Sequence, residues 1–159
     1  TSLRYFNVVG SGDPRLPDVS PYNLFSMVFA GLEENRKPVI FGDDYETPDG
    51  TCIRDYIHVS DLAAAHVSAA QRMDRGEPIE QAYNLGSGTG TSVAEMMASI
   101  ARVTGVDFVP EIGPRRGGDP ARVVASGVKA GRDIDWSMRF SLDDMISSAF
   151  EARANLPKS

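Results

Sequence analysis

The sequence is poor in the residues that build metal and redox centres: it has a single cysteine, Cys52, and two histidines, His58 and His66. One thiol cannot form an internal disulfide framework or a cysteine-rich zinc site. The histidines are eight positions apart, which is not a metal-ligand spacing, so no metal is expected. His66 shares a helical face with Leu62, Ala69 and Met73 and reads as a satisfied core or boundary histidine. A Cys52–His58 nucleophile pair lacks a third group to orient it. No apolar run approaches the ~20 residues that span a bilayer. The opening residues Thr1–Tyr5 carry no long apolar stretch of the signal-peptide kind, so a cytoplasmic protein without a membrane partner is expected. Basic residues are the minority, 16 against 22 acidic, for a net charge of −6. That balance argues against a broad nucleic-acid surface. It leaves room for a small anionic ligand, because a few clustered arginines can bind phosphate on an acidic protein.

What is present fits one domain over residues 1–159, with 42% hydrophobic residues to build a core. Leu3 to Val9 (LRYFNVV) reads as a strand. It starts with no lead-in, which suggests a chain cut from a longer one. Ser20-Pro21 signals a helix start, and Phe25, Val28, Phe29 and Leu32 follow at helical spacing. Pro38 to Phe41 and Ile53 to Val59 are strand candidates, the acidic turn Gly42 to Thr51 lies between them, and a helix is expected from Asp61 to Met73. Ala82 to Leu85 is another strand. Ser92 with Glu95 makes a capping box ahead of an apolar stripe that Gly105 ends. Ser141 with Asp144 repeats the pattern before the last helix. Strands and helices mix throughout, which implies an α/β domain.

Three groups of residues invite a ligand. Gly86, Gly88 and Gly90 sit between a strand and a helix, where phosphates bind. Their spacing is G-x-G-x-G, with Thr91 where a dinucleotide motif has its third glycine, so a plain strand-to-helix turn is the stronger reading. In the strand Ile53 to Val59, alternation sends Arg54, Tyr56 and His58 to one side and Asp55 to the other. Arg115-Arg116-Gly117-Gly118-Asp119 places two guanidiniums and a carboxylate on a glycine-rich turn. Guanidiniums fork onto phosphate oxygens, and a carboxylate accepts from ribose hydroxyls. Either run alone also fits a solvated charge cluster.

The segments Tyr5-Phe6-Asn7, Tyr22-Asn23-Leu24, Val39-Ile40-Phe41-Gly42, Thr47-Pro48-Asp49-Gly50-Thr51, Arg54 to Val59, Asp61-Leu62-Ala63, Tyr83 to Gly86, Arg115 to Asp119 and Leu142 to Met145 occur in this order. The series resembles the extended short-chain dehydrogenase/reductase family over nearly the whole chain. Within that family, the stretch from Thr47 to Ala63 is similar to the UDP-glucose 4-epimerases. The resemblance implies a fold in which an N-terminal Rossmann half holds NAD and a smaller C-terminal part, a small sheet with packed helices, holds the UDP-sugar. It implies an isomerase that passes the C4 hydride to NAD⁺, turns the 4-keto sugar and returns the hydride, and it implies a homodimer. The family's general base is the Tyr of a Tyr-x-x-x-Lys motif.

Those catalytic parts are not in this sequence. The residues four positions after its five tyrosines are Val9, Ser26, Asp49, Ser60 and Ser87, and there is no Gly-x-x-Gly-x-x-Gly. The chain is therefore expected to be the C-terminal substrate-binding part, with the Rossmann half as its missing partner and no activity alone. The resemblance assigns Asn7 to the diphosphate-sugar end and Phe6 to the nicotinamide side of NAD. It assigns Asn23 and Leu24 to substrate contacts at a helix start, and Val39 and Phe41 to the uracil. Arg54 and Arg116 would clamp the diphosphate, and Asp119 would reach the ribose.

The sequence departs from the family pattern in a short loop between Asn7 and Asn23, in Val8, and in Val123, where Tyr or Cys is common beside the sugar. A small Val123 would leave room for an N-acetyl group. Other enzymes of the family, dehydratases or decarboxylases, share the Arg-Asp-Tyr and Arg-Arg-x-Gly-Asp features. A stand-alone UDP-sugar-binding module and a packing domain without ligand are the rivals from other classes.

Overall fold

The computed structural model describes residues 1–156. It is an α/β arrangement of five helices and short strands paired in small sheets. The first two strands are β1 (Ser2–Arg4) and β2 (Asn7–Val9), followed by α1 (Leu24–Glu33) and β3 (Val39–Phe41). Then come β4 (Ile53–Arg54), β5 (Tyr56–His58), α2 (Val59–Asp74), β6 (Ala82–Asn84) and β7 (Thr91–Ser92). The chain continues through α3 (Val93–Thr104), β8 (Glu111–Gly113), β9 (Arg122–Val123), α4 (Val128–Ile134) and α5 (Leu142–Ala154). β1 pairs with β6, β2 with β5 and β3 with β8, all parallel. β4 is flanked by antiparallel β7 and parallel β9.

Two of the expected strands are broken. Leu3 to Val9 splits at Tyr5-Phe6 because its halves take different partners, β6 and β5. Ile53 to Val59 splits at Asp55 for the same reason, and Val59 begins α2 instead. Asp55 is 2% exposed and turns inward. Its carboxylate accepts from the backbone N–H groups of Ser87 and Ala125, at 3.0 and 2.9 Å. This one buried anion fastens the β4–β5 break to the turn after β6 and to the chain after β9. It also explains Gly86: a Cβ there would stand 2.4 Å from Asp55 Oδ2 and 2.7 Å from Ala125. The glycines of that turn serve close backbone approach and positive φ at Gly88 and Gly90.

The first helix starts three residues later than Ser20-Pro21 suggests. Asn23 is its cap: the side-chain oxygen accepts from Phe25 N–H at 3.0 Å, and the side-chain amide donates to Val8 carbonyl at 2.9 Å. The same side chain thus ends the loop and pins α1 to β2. Both capping boxes form, Ser92 with Glu95 and Ser141 with Asp144, and Gly105 closes α3 in the left-handed region at φ 70°. α2 is capped by His58, whose Nδ1 accepts from Ser60 N–H at 3.0 Å. His66 is a correction: it lies exposed on α2, packs edge-on against Tyr5, and its Nδ1 meets the Leu62 carbonyl of its own helix at 2.9 Å.

Two apolar clusters form the core. One joins α1, α3 and α5 through Phe25, Phe29, Met96, Ile100 and Ile146. The other joins α2 and α4 around Tyr83, Leu85, Ile134 and Trp136, and Met138 packs against both. The Trp136 indole donates to the Asp61 carbonyl at 2.8 Å, while the Asp61 carboxylate accepts from the N–H groups of Arg139 and Phe140. Among the described residues no helix is long and apolar enough to cross a membrane.

Candidate functional site

A cavity of about 340 Å³ opens where α1, β3, β4, β5, the first turns of α3 and the Arg115–Asp119 turn converge. Each element contributes by its register. β3 buries Ile40 in the core and so turns its alternate residues, Val39 and Phe41, to the cavity. β4 and β5 send Arg54 and Tyr56 to the cavity and Asp55 away from it, as the alternation predicts. His58 does not join them, because it caps α2 and meets Ser148 Oγ at 3.0 Å.

The polar side of the cavity is built around Arg54. Its side chain is 16% exposed, it donates to the Ile53 carbonyl at 2.8 Å, and it makes an ion pair with Asp119. Gly118, at φ 79°, makes the turn that carries Asp119 back toward Arg54. Arg116 lies over the Phe41 ring, its guanidinium carbon 3.9 Å from the ring centroid. Asn7 donates to the Asp55 carbonyl at 2.8 Å and lines the cavity from β2, while Leu24 lines it from the start of α1.

Asn7, Leu24, Val39, Phe41, Arg54, Arg116 and Asp119 therefore face one space. Phe6, Asn23 and Val123 are not in its lining. Asn23 is committed to its cap and to Val8. Phe6 is 46% exposed in the break between β1 and β2. Val123 is paired in register with Arg54 on the neighbouring strand β9. Sequence reasoning missed Cys52, Arg36 and Lys37 as lining residues. The Arg36-Lys37 pair just ahead of a cavity strand was the available signal for the last two.

Tyr56 also lines the cavity, but burial, opposed by the nearby Arg54, pushes its phenol up to about 12. It stays a neutral hydroxyl at neutral pH and is not poised as a base. The arrangement is one for binding: guanidiniums with a single carboxylate on one side, and an apolar wall with an aromatic ring on the other. Such a space fits a flat base carrying an anionic tail. Among the described residues no cluster of three or more His, Cys, Asp or Glu is placed to hold a metal ion.

Comparison with known proteins adds the following. The sequence pattern of the NAD dependent epimerase/dehydratase family matches residues 1–86. A UDP-glucose 4-epimerase of Corynebacterium glutamicum is 44% identical over 141 residues, covering 86% of this chain and 42% of the relative. The crystal structure of a UDP-glucose 4-epimerase superposes with a TM-score of 0.88 at 40% identity, covering 99% of this chain and 50% of that one. The epimerase of Bifidobacterium longum, solved in complex with NAD⁺ and UDP, superposes with a TM-score of 0.81 at 34% identity, covering 96% of this chain and 46% of its own. The chain spans about half the length of the curated relatives it matches.

Proposed function

This chain belongs to the NAD dependent epimerase/dehydratase family, and from that premise we propose that it is the UDP-sugar-binding portion of a UDP-glucose 4-epimerase. The intact enzyme interconverts UDP-glucose and UDP-galactose, and the Rossmann half that completes it supplies most of the NAD site. The observation that carries the reading is the convergence of Arg54, Arg116, Asp119, Asn7, Val39 and Phe41 on one cavity. Phe41 and Val39 offer a surface to uracil. Arg54 and Arg116 face the diphosphate, Asp119 the ribose, and Asn7 the sugar end. Leu24 and the capped start of α1 close the substrate side, with Asn23 acting through its cap.

NAD, when bound, would supply reversible hydride exchange with the sugar. Phe6 fits a place beside its nicotinamide, being an exposed ring next to the cavity residue Asn7. A cytoplasmic homodimer working in galactose metabolism completes the proposal, on the strength of the family resemblance.

Titration calorimetry with UDP tests it. The expected result is stoichiometric binding that Arg54→Ala or Arg116→Ala weakens; no heat with UDP at millimolar concentration sinks the reading. The 159-residue chain alone is expected to bind UDP and show no turnover, since none of its tyrosines belongs to a Tyr-x-x-x-Lys pair. Epimerase activity in the rigorously purified chain would overturn that part.

A further inference from the structure

The two neighbouring arginines of the turn after β8 are not equivalent. Arg116 lines the cavity and Arg115 does not. Arg115 instead lies over the buried Tyr45, its guanidinium carbon 3.8 Å from the ring centroid. Its Nε is 3.5 Å from Asp44 Oδ1. The stem of Arg115 reaches that ring across Gly42, where a Cβ would stand 2.8 Å from Tyr45 Cε2 and closer still to Arg115 Cγ. Gly42 N–H donates to the Gly113 carbonyl at 2.9 Å, so the β3–β8 register sets this slot. Arg115 is thus seated on the acidic turn Gly42 to Thr51.

Arg116 has no comparable anchor. Among the described residues no ion pair or side-chain hydrogen bond holds its guanidinium, which rests on the face of Phe41. The two residues after it add no packing, since a Cβ on Gly117 or Gly118 would meet nothing within 4 Å. Asp119, at the far end of the turn, has its own partner in Arg54, and its N–H donates to the Arg116 carbonyl at 3.3 Å. The placement of Arg116 therefore leans on the residue before it. A loosely held guanidinium must be ordered when an anion binds, which costs affinity, and a backbone already fixed on one side lowers that cost.

We propose that Arg115 is a positioning residue for nucleotide binding: stacked on Tyr45, it fixes the backbone from which Arg116 reaches the anion, and it does not touch the anion itself. The sequence offers both guanidiniums to phosphate; the packing makes one an anchor and leaves the other for the ligand. The ion pair with Asp44 is exposed on both sides and contributes little, so the ring face and the slot at Gly42 carry the anchoring. The effect on affinity rests on the UDP-binding reading above; the seating of the turn does not.

The test uses the full-length protein. UDP affinity is measured by calorimetry in the parent, Arg115→Ala, Arg116→Ala and the double variant, together with the thermal midpoint of each. Arg115→Ala is expected to weaken UDP binding by about three- to tenfold at an unchanged midpoint, the scale of ordering one long side chain. In the Arg116→Ala background the same change should cost less than about twofold, because the group it positions is gone. Arg115→Lys, which keeps a cation over the ring, should recover most of the loss. Without any nucleotide, trypsin should cut after Arg116 severalfold faster in Arg115→Ala than in the parent. The proposal is overturned by parent-like UDP affinity in Arg115→Ala. It is also overturned by a loss that persists in full beside Arg116→Ala, which would make Arg115 a direct partner of the anion. If the parent does not bind UDP, the functional reading falls instead, and the trypsin rate decides the anchor: an unchanged rate overturns it.

Discussion

Arg54 and Asp119, 65 positions apart in sequence, form the ion pair that sets the polar wall of the cavity. The pair holds the guanidinium in a fixed position before any ligand arrives, so little side-chain entropy remains to be lost on binding. Arg54→Ala is expected to weaken UDP binding by about 10- to 100-fold, since hydrogen bonds to charged groups contribute roughly 1.5–3 kcal/mol. Arg54→Lys keeps the charge but not the two-pronged geometry and should fall between. Calorimetry at low and moderate salt measures both; an unchanged affinity in Arg54→Ala would show that the anion sits elsewhere.

Asp55 should matter for folding more than for binding. Its carboxylate satisfies the N–H groups of Ser87 and Ala125 in the interior. Asp55→Ala leaves both unpaired, at a cost of about 3 kcal/mol or more. Gly86→Ala is expected to cost a similar amount, because the new methyl would collide with the same carboxylate. Urea midpoints read both effects, and a shift within the scatter of surface substitutions would remove Asp55 from its place as the fastener.

His58 gives the fold a pH limit on the acid side. Burial lowers its pKa below the ordinary 6.5, against the pull of Asp61 and Asp144. Its ring is stacked on Phe140 at 4.0 Å, and Nδ1 must stay unprotonated to accept from Ser60. The unfolded chain therefore takes up a proton at higher pH than the folded one. The contribution of the neutral ring is complete above the unfolded value and is lost as pH falls from about 6.5 toward the lower folded value. Denaturation midpoints should drop between pH 7.5 and 5.5, and His58→Asn, which can still cap α2, should flatten that dependence.

Val123 lies beside Arg54, a cavity residue, in the parallel pair of β4 with β9. Its small side chain motivates the expectation that the full-length enzyme accepts UDP-N-acetylglucosamine as well as UDP-glucose. Val123→Tyr should then depress kcat/KM for the N-acetylated sugar by about tenfold or more relative to glucose, the scale on which a crowded pocket discriminates. An enzyme that turns over UDP-glucose well and UDP-N-acetylglucosamine not at all would end the idea.

The parts of the structure that were legible in the sequence are those written in local chemistry. Ser92 with Glu95, Ser141 with Asp144 and Gly105 mark helix ends through contacts a few residues long. Alternation placed Arg54 and Tyr56 together, and the order of motifs brought Phe41, Arg116 and Asp119 to one expected site. The parts that were not legible depend on distant partners. Nothing near Tyr5-Phe6 shows that β1 and β2 belong to different neighbours. The start of α1 depends on Asn23 reaching Val8, 15 positions back. The seven-residue α4 has no side-chain cap and buries only Ala130 and Ile134, too little for a periodic stripe. The approach of Cys52 to Asp119 spans 67 positions and left no trace in either segment.

Trp136 gives this division of the core an optical consequence. It is the only tryptophan in the sequence and sits in the cluster around α2 and α4, apart from the cavity. Its intrinsic fluorescence therefore reports on the α2–α4 half of the protein. Filling the cavity should leave the emission maximum where it is, while melting of the Asp61 carbonyl contact should shift it to the red. A single unlabelled sample can thus separate loosening of the scaffold from events at the nucleotide pocket.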